Sequence, residues 1–179
     1  MAALIEAALS RAPSADGRLA AGPVSYDGPG GELHGFVDAT STVIHGHDGE
    51  FGALGEIAVP WGASGDAPAL AAALADELAI RVGATTVRAY RRRTGRGRAS
   101  RAVTLQGGGR VLLWRARGRP GGAAPVLERA DGAVLARLSA DGRLRVDPTA
   151  DPFELALAAA TALSGLAGSV GSVLGTRAG

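Results

Sequence analysis

Asp147-Pro-Thr-Ala-Asp-Pro-Phe-Glu-Leu-Ala-Leu-Ala-Ala-Ala-Thr-Ala-Leu163, continuing as Ser164-Gly-Leu-Ala-Gly-Ser-Val-Gly-Ser-Val-Leu174, is the stretch on which the fold turns. Asp151 is placed to accept the first backbone N–H groups of a helix, and Pro152 suits its first position. The pattern predicts an apolar helix over about 152–174. From Leu155 to Leu174 there is no charged residue, and a helix without a polar face must be enclosed by protein or by lipid. Six Ala, three Gly and three Ser dilute five Leu and two Val in those twenty residues, a weak composition for a membrane span. Gly165, Gly168 and Gly171 weaken a helix in water and permit close packing. Two readings stand, a helix buried inside the protein and a tail anchor, with fraying beyond Gly165 as a third.

Upstream, Val126-Leu-Glu-Arg-Ala-Asp-Gly-Ala-Val-Leu-Ala-Arg-Leu-Ser-Ala-Asp-Gly-Arg-Leu-Arg-Val146 carries Asp-Gly twice between apolar runs, the signal of a tight antiparallel meander. Further strand-like runs are Thr85 to Arg92, Ala102 to Gln106 and Arg110 to Arg115, with Gly107-Gly-Gly109 as a turn. Val24 to Tyr26, Leu33 to Val37, Thr40 to Ile44 and Glu56 to Val59 precede them, giving about ten strands in all. Between these sets Asp66 and Pro68 open a segment in which Leu70, Leu74, Leu78 and Val82 recur every four residues, an amphipathic helix over about 67–82. The expected fold is therefore α+β, an antiparallel strand-rich sheet or barrel with that helix and the apolar C-terminal one. Residues 1–31 read as a short N-terminal helix and a Gly/Pro-rich loop, 32–174 as a single domain and 175–179 as a tail. Met1 to Ser10 lacks a basic start and carries Glu6, so a secretory signal is not expected.

The chain has 179 residues and no Cys, which excludes disulfide scaffolds, thiolate metal sites and thiol nucleophiles. All 19 basic residues are Arg, a bias that fits a GC-rich bacterial genome. Their distribution says more. Residues 1–80 hold 2 Arg against 11 Asp or Glu, residues 81–146 hold 16 against 3, and residues 147–179 hold 1 against 3. An acidic segment followed by a basic one implies either an anionic partner or two halves that pack together.

Arg88, Arg91, Arg92, Arg93, Arg96, Arg98 and Arg101 place seven guanidiniums in fourteen residues around Tyr90. Such forks suit phosphate oxygens, and Gly95 and Gly97 allow a polyanion to approach the backbone. The alternative is a solvated hairpin loop. His34, His45 and His47 fall within fourteen residues, beside Asp48 and Glu50. Paired strands would bring the three imidazoles together for a divalent metal, whereas His45-Gly-His-Asp-Gly49 also reads as a polar turn. Gly107-Gly-Gly-Arg110 lacks the strand-to-helix setting of a phosphate loop, and neither Ser41 nor Ser164 lies in a nucleophile motif. Trp61 and Trp114 read as core anchors. No catalytic residue and no cofactor is predicted.

The order of features around residues 100–165, strands about Asp141-Gly142 followed by Val146-Asp-Pro-Thr-Ala-Asp-Pro-Phe-Glu and the apolar run to Leu163, resembles the tubby C-terminal-like superfamily, which includes phospholipid-scramblase-like domains. The resemblance implies a twelve-stranded antiparallel barrel around a hydrophobic C-terminal helix, and in some relatives binding of anionic lipid headgroups. The helix over 67–82, the count of about ten strands and the tail beyond Gly165 depart from that pattern, and no family residue carries over individually.

The expected function is a non-enzymatic binding or assembly module, cytoplasmic or membrane-peripheral. It engages an anionic lipid headgroup, a nucleic acid or an acidic protein through the arginine-rich segment, with a homo-oligomer as a further partner. The alternatives are a metal-dependent hydrolase built on His34, His45 and His47, and a tail-anchored protein held by residues 155–174.

Overall fold

The computed structural model describes residues 3–11, 19–92, 101–119 and 122–170. Twelve strands run β1 (Ile5–Ser10), β2 (Gly22–Gly28), β3 (Gly31–Val37), β4 (Thr42–Asp48), β5 (Glu56–Val59), β6 (Leu78–Val82), β7 (Thr85–Tyr90), β8 (Val103–Gly107), β9 (Arg110–Arg117), β10 (Ala124–Arg129), β11 (Val134–Leu138) and β12 (Leu144–Val146). Each pairs antiparallel with its neighbours in sequence, and β1 closes the sheet onto β12. The result is a closed up-and-down barrel with no free edge. β1 makes the closure in two halves: Ile5 to Ala7 face β12, and Ala8 to Ser10 face β2.

Alternation sets the wall. Tyr26, Leu33, Ile44, Ile57, Ile80, Leu105, Leu112 and Trp114 are buried in the core, while the intervening positions face outward. Twelve strands enclose more space than wall side chains fill, and helix α2 (Pro152–Leu163) occupies it. α2 touches β2, β4, β5, β6, β11 and β12, strands spread around the wall, so it lies within the lumen. Every residue from Glu154 to Ser164 is buried. Its alanines give the helix the narrow girth that the lumen allows, and Leu155, Leu157 and Leu163 fill the remaining gaps. Asp151 and Glu154 form a reciprocal capping box at its start. In its last turn Thr161 Oγ1 accepts from Trp114 Nε1 at 2.8 Å, and that hydroxyl donates to the Leu157 carbonyl at 2.6 Å. A buried indole N–H thereby finds its acceptor.

The hairpins obey local turn chemistry. Gly108 and Gly109 both have positive φ between β8 and β9, as a two-residue primed turn requires. Gly132 and Gly142, in the two Asp-Gly turns, do too.

Four expectations are corrected. Residues 5–10 form β1 rather than a helix, so the barrel begins well before residue 32. The helix over 67–82 is α1 (Ala67–Ala75) followed by β6, separated by Glu77 with φ 67. Leu78 and Val82 satisfy both a four-residue and a two-residue repeat, and the strand wins because Ile80 is buried too. These two strands raise the count from ten to twelve. Finally, α2 ends at Leu163, followed by Gly165 at φ 84 and a short 3-10 turn, Gly168–Val170. Residues 171–174 lie outside the described residues. Among the described residues no helix is long and apolar enough to cross a membrane, and α2 sits inside the wall.

Candidate anion-binding surface

The acidic and basic segments do not pack face to face; they form adjoining arcs of one wall. Residues 1–80 build β1 to β5 and most of β6, and residues 81–146 build the rest. Among the described residues three ion pairs join them: Glu56 with Arg81 at 3.5 Å, Glu77 with Arg88 at 3.5 Å, and Glu6 with Arg143 at 3.7 Å. All three lie at or beside the seams where the arcs meet.

Some arginines are consumed internally. Arg129 holds the buried Glu154 carboxylate through Nε at 3.0 Å and Nη2 at 2.7 Å, and Arg110 pairs with Asp151 while lying 4.8 Å over the Phe153 ring. Both bonds tie the start of α2 to the end of the barrel where it begins. Arg115 and Arg117 converge on Glu128, which is only 2% exposed although it faces outward. Burial by itself raises the pKa of Glu128, but the hydrogen bonds and charges of the two guanidiniums more than offset it and hold the carboxyl below its ordinary value.

The predicted arginine segment leaves the barrel at the opposite end, where α2 finishes. Arg88 bonds the Gln106 side chain at 3.0 Å and pairs with Glu77. Its guanidinium and that of Arg92 lie 5.8 and 6.0 Å from the Tyr90 ring. Arg91 donates to Ser169 Oγ at 3.1 Å, just past the end of α2. Burial, then the neighbouring charge of Arg101, holds the Arg91 pKa below the usual value. Neither Arg91 nor Arg92 makes an ion pair with an acid among the described residues, and the buried Arg91 Nε–H has no acceptor there. Arg93, Arg96 and Arg98 lie outside the described residues. Arg11 reaches the same end, donating to the carbonyls of Ala162 and Gly142 at 3.3 Å, where cations complement the helix dipole.

A cleft of about 240 Å³ opens beside Arg92 on the outer wall, with Val111 and Leu113 as apolar floor and Thr104, Arg115 and Glu128 among its polar lining. Arg115, Arg137 and Arg145 were not among the predicted site residues. The signal that could have found Arg115 and Arg145 is Arg-x-Arg at 115/117 and 143/145, which in strands puts both side chains of each pair on one face; no such pattern marks Arg137.

The three histidines gather on the opposite arc. His34 and His45 are cross-strand partners on β3 and β4, and the His34 and His47 rings meet edge-to-face at 4.9 Å. His45-Gly-His belongs to β4 rather than to a turn. Gly46 is required by close approach, since a Cβ there would lie 1.8 Å from the Phe51 carbonyl oxygen. His34 Nε2 lies 3.1 Å from Glu32. Among the described residues no three His, Cys, Asp or Glu side chains stand where one metal ion could be held by all of them. Trp114 is a core anchor, whereas Trp61 is only half-buried, against Gly65. No family model, no curated protein and no solved structure matches the chain.

Proposed function

We propose that the protein is a non-enzymatic binding module for a polyanionic partner, engaged at the end of the barrel where the arginine-rich segment joins β7 to β8. One observation carries the reading: Arg91 and Arg92 stand together at this end without an acidic partner among the described residues, and a buried Arg91 donor is left without an acceptor. Such an arrangement costs free energy in isolation, and phosphate or carboxylate oxygens relieve it. The lumen, where a barrel of this width otherwise offers a small-molecule site, is filled by α2. The tubby C-terminal-like resemblance implies the same kind of role, since some relatives there bind anionic lipid headgroups.

The test is a titration with long-chain inorganic polyphosphate. Counterion release makes affinity fall steeply between about 50 and 200 mM salt, and replacing Arg92, Arg93, Arg96 and Arg98 by Gln weakens binding. Absence of binding at low salt, or binding indifferent to salt, overturns the reading.

A further inference from the structure

Opposite charges face each other across a good antiparallel pair, and like charges placed directly opposite are unfavourable. The barrel breaks this rule twice on its outer surface, with opposite signs. On the basic arc, Arg137 of β11 is the direct partner of Arg145 of β12. On one side the row continues through Val126 to Arg115, which is held by Glu128, and on the other it ends at Glu6 of β1, directly opposite Arg145 but bonded to Arg143. Arg137 and Arg145 are exposed, and neither has an acidic side chain bonded to it among the described residues. Val126 is buried although it faces outward and stands apart from the core cluster, so it lies beneath the aliphatic stems beside it. On the acidic arc, Asp27 of β2 is opposite Glu32 of β3, and Glu32 is opposite Asp48 of β4. Each arc also leaves a large apolar side chain in the open, Phe36 on β3 at 53% and Val111 on β9 at 41%.

We infer that these two sets are the two halves of one contact: the Arg137–Arg145 pair of one molecule receives the Asp27–Glu32–Asp48 row of a second copy. The acidic row spans three adjacent strands, about 10 Å at the usual strand spacing, and the arginine pair two, about 5 Å, so the pair fits within the row. Alternating the signs across the contact relieves both like-charge rows at once, and Phe36 and Val111 add apolar area that salt does not screen. The two sets flank β1, the arginine pair ending on β12 and the acidic row beginning on β2, so one face of the molecule offers both to the same partner. A two-fold dimer, in which each copy sets its arginine pair on the other's acidic row, satisfies both at once.

The experiment is sedimentation of the full chain over a range of concentrations. At about 50 mM salt and about 100 µM protein the average mass rises above that of the monomer, and by about 300 mM salt the chain is monomeric. Two charge-reversed chains, one Asp27→Arg with Glu32→Arg and the other Arg137→Glu with Arg145→Glu, each remain monomeric alone and associate when mixed. The acid-reversed chain keeps its polyphosphate binding, which separates this contact from the proposed function. Should a reversed chain fail to fold, Glu32→Gln and the pair Arg137→Gln with Arg145→Gln replace it, each weakening self-association about tenfold or more, and Phe36→Ser weakens it at every salt concentration. A wild-type chain monomeric at low salt, or a mixture of reversed chains that stays monomeric, overturns the inference.

Discussion

Arginines at the two ends of the barrel have opposite surroundings. Where α2 begins, Arg110 and Arg129 are closed onto Asp151 and Glu154, one of them a buried carboxylate held by two hydrogen bonds. Where α2 finishes, Arg91 and Arg92 gather without an acid among the described residues, one half-buried and the other exposed. The same residue type thus anchors the fold at one end and faces outward, charge uncommitted, at the other. Substitutions at the first end are therefore expected to damage the fold, and replacement of the exposed Arg92 at the second to leave it intact.

The largest expected effect is at the first end. Arg129→Ala leaves the Glu154 carboxylate buried and unpaired, and is expected to cost about 3 kcal/mol, read from the midpoint of urea unfolding. Thr161→Val, within the lumen, leaves the Trp114 N–H without its acceptor and is expected to cost about 2 kcal/mol, checked in the same way. Acid acts on this end as well. Burial raises the pKa of Asp151, but hydrogen bonds from the Glu154 backbone and Arg110 outweigh it, so the folded pKa lies below the ordinary value. A carboxyl depressed on folding contributes stability that is present above its unfolded pKa and lost as pH falls through the folded one. Stability is therefore expected to decline as the pH drops below about 4, and Arg110→Gln reduces that decline in a melting series from pH 6 downward.

The other surfaces respond weakly. Arg137→Gln removes one member of an unfavourable cross-strand pair and is expected to raise stability by up to about 0.5 kcal/mol. Arg92→Gln, exposed and outside the core, is expected to change stability by less than about 0.5 kcal/mol. Both are measurable as small shifts in thermal midpoint. A large loss of stability on Arg92→Gln would erase the contrast between the two ends.

The sequence displayed the strongest local signals and hid the features that depend on register. The Asp131-Gly132 and Asp141-Gly142 turns and the cap at Asp151 were legible because each depends on a few adjacent residues. β1 was hidden because Met1 to Ser10 is rich in helix-favouring alanine, and only pairing with β12 and β2 makes it a strand. β6 lay inside a helical repeat that its own alternation happens to satisfy. The gathering of Arg91 with Arg92 followed from adjacency, whereas the Arg137–Arg145 pair required the alignment of two strands. The burial of Glu128 on an outward face required the convergence of Arg115 and Arg117, which no single-strand pattern shows.

Polyanion binding at the end where α2 finishes is tested most directly by the slope of log affinity for polyphosphate against log salt, measured on the wild-type chain and on the chain with Arg92, Arg93, Arg96 and Arg98 replaced by Gln. A shallower slope is expected for the variant, its magnitude falling by up to about 0.7–0.9 for each arginine–phosphate pairing removed, with its thermal midpoint unchanged. Identical slopes for the two chains would contradict binding through these arginines.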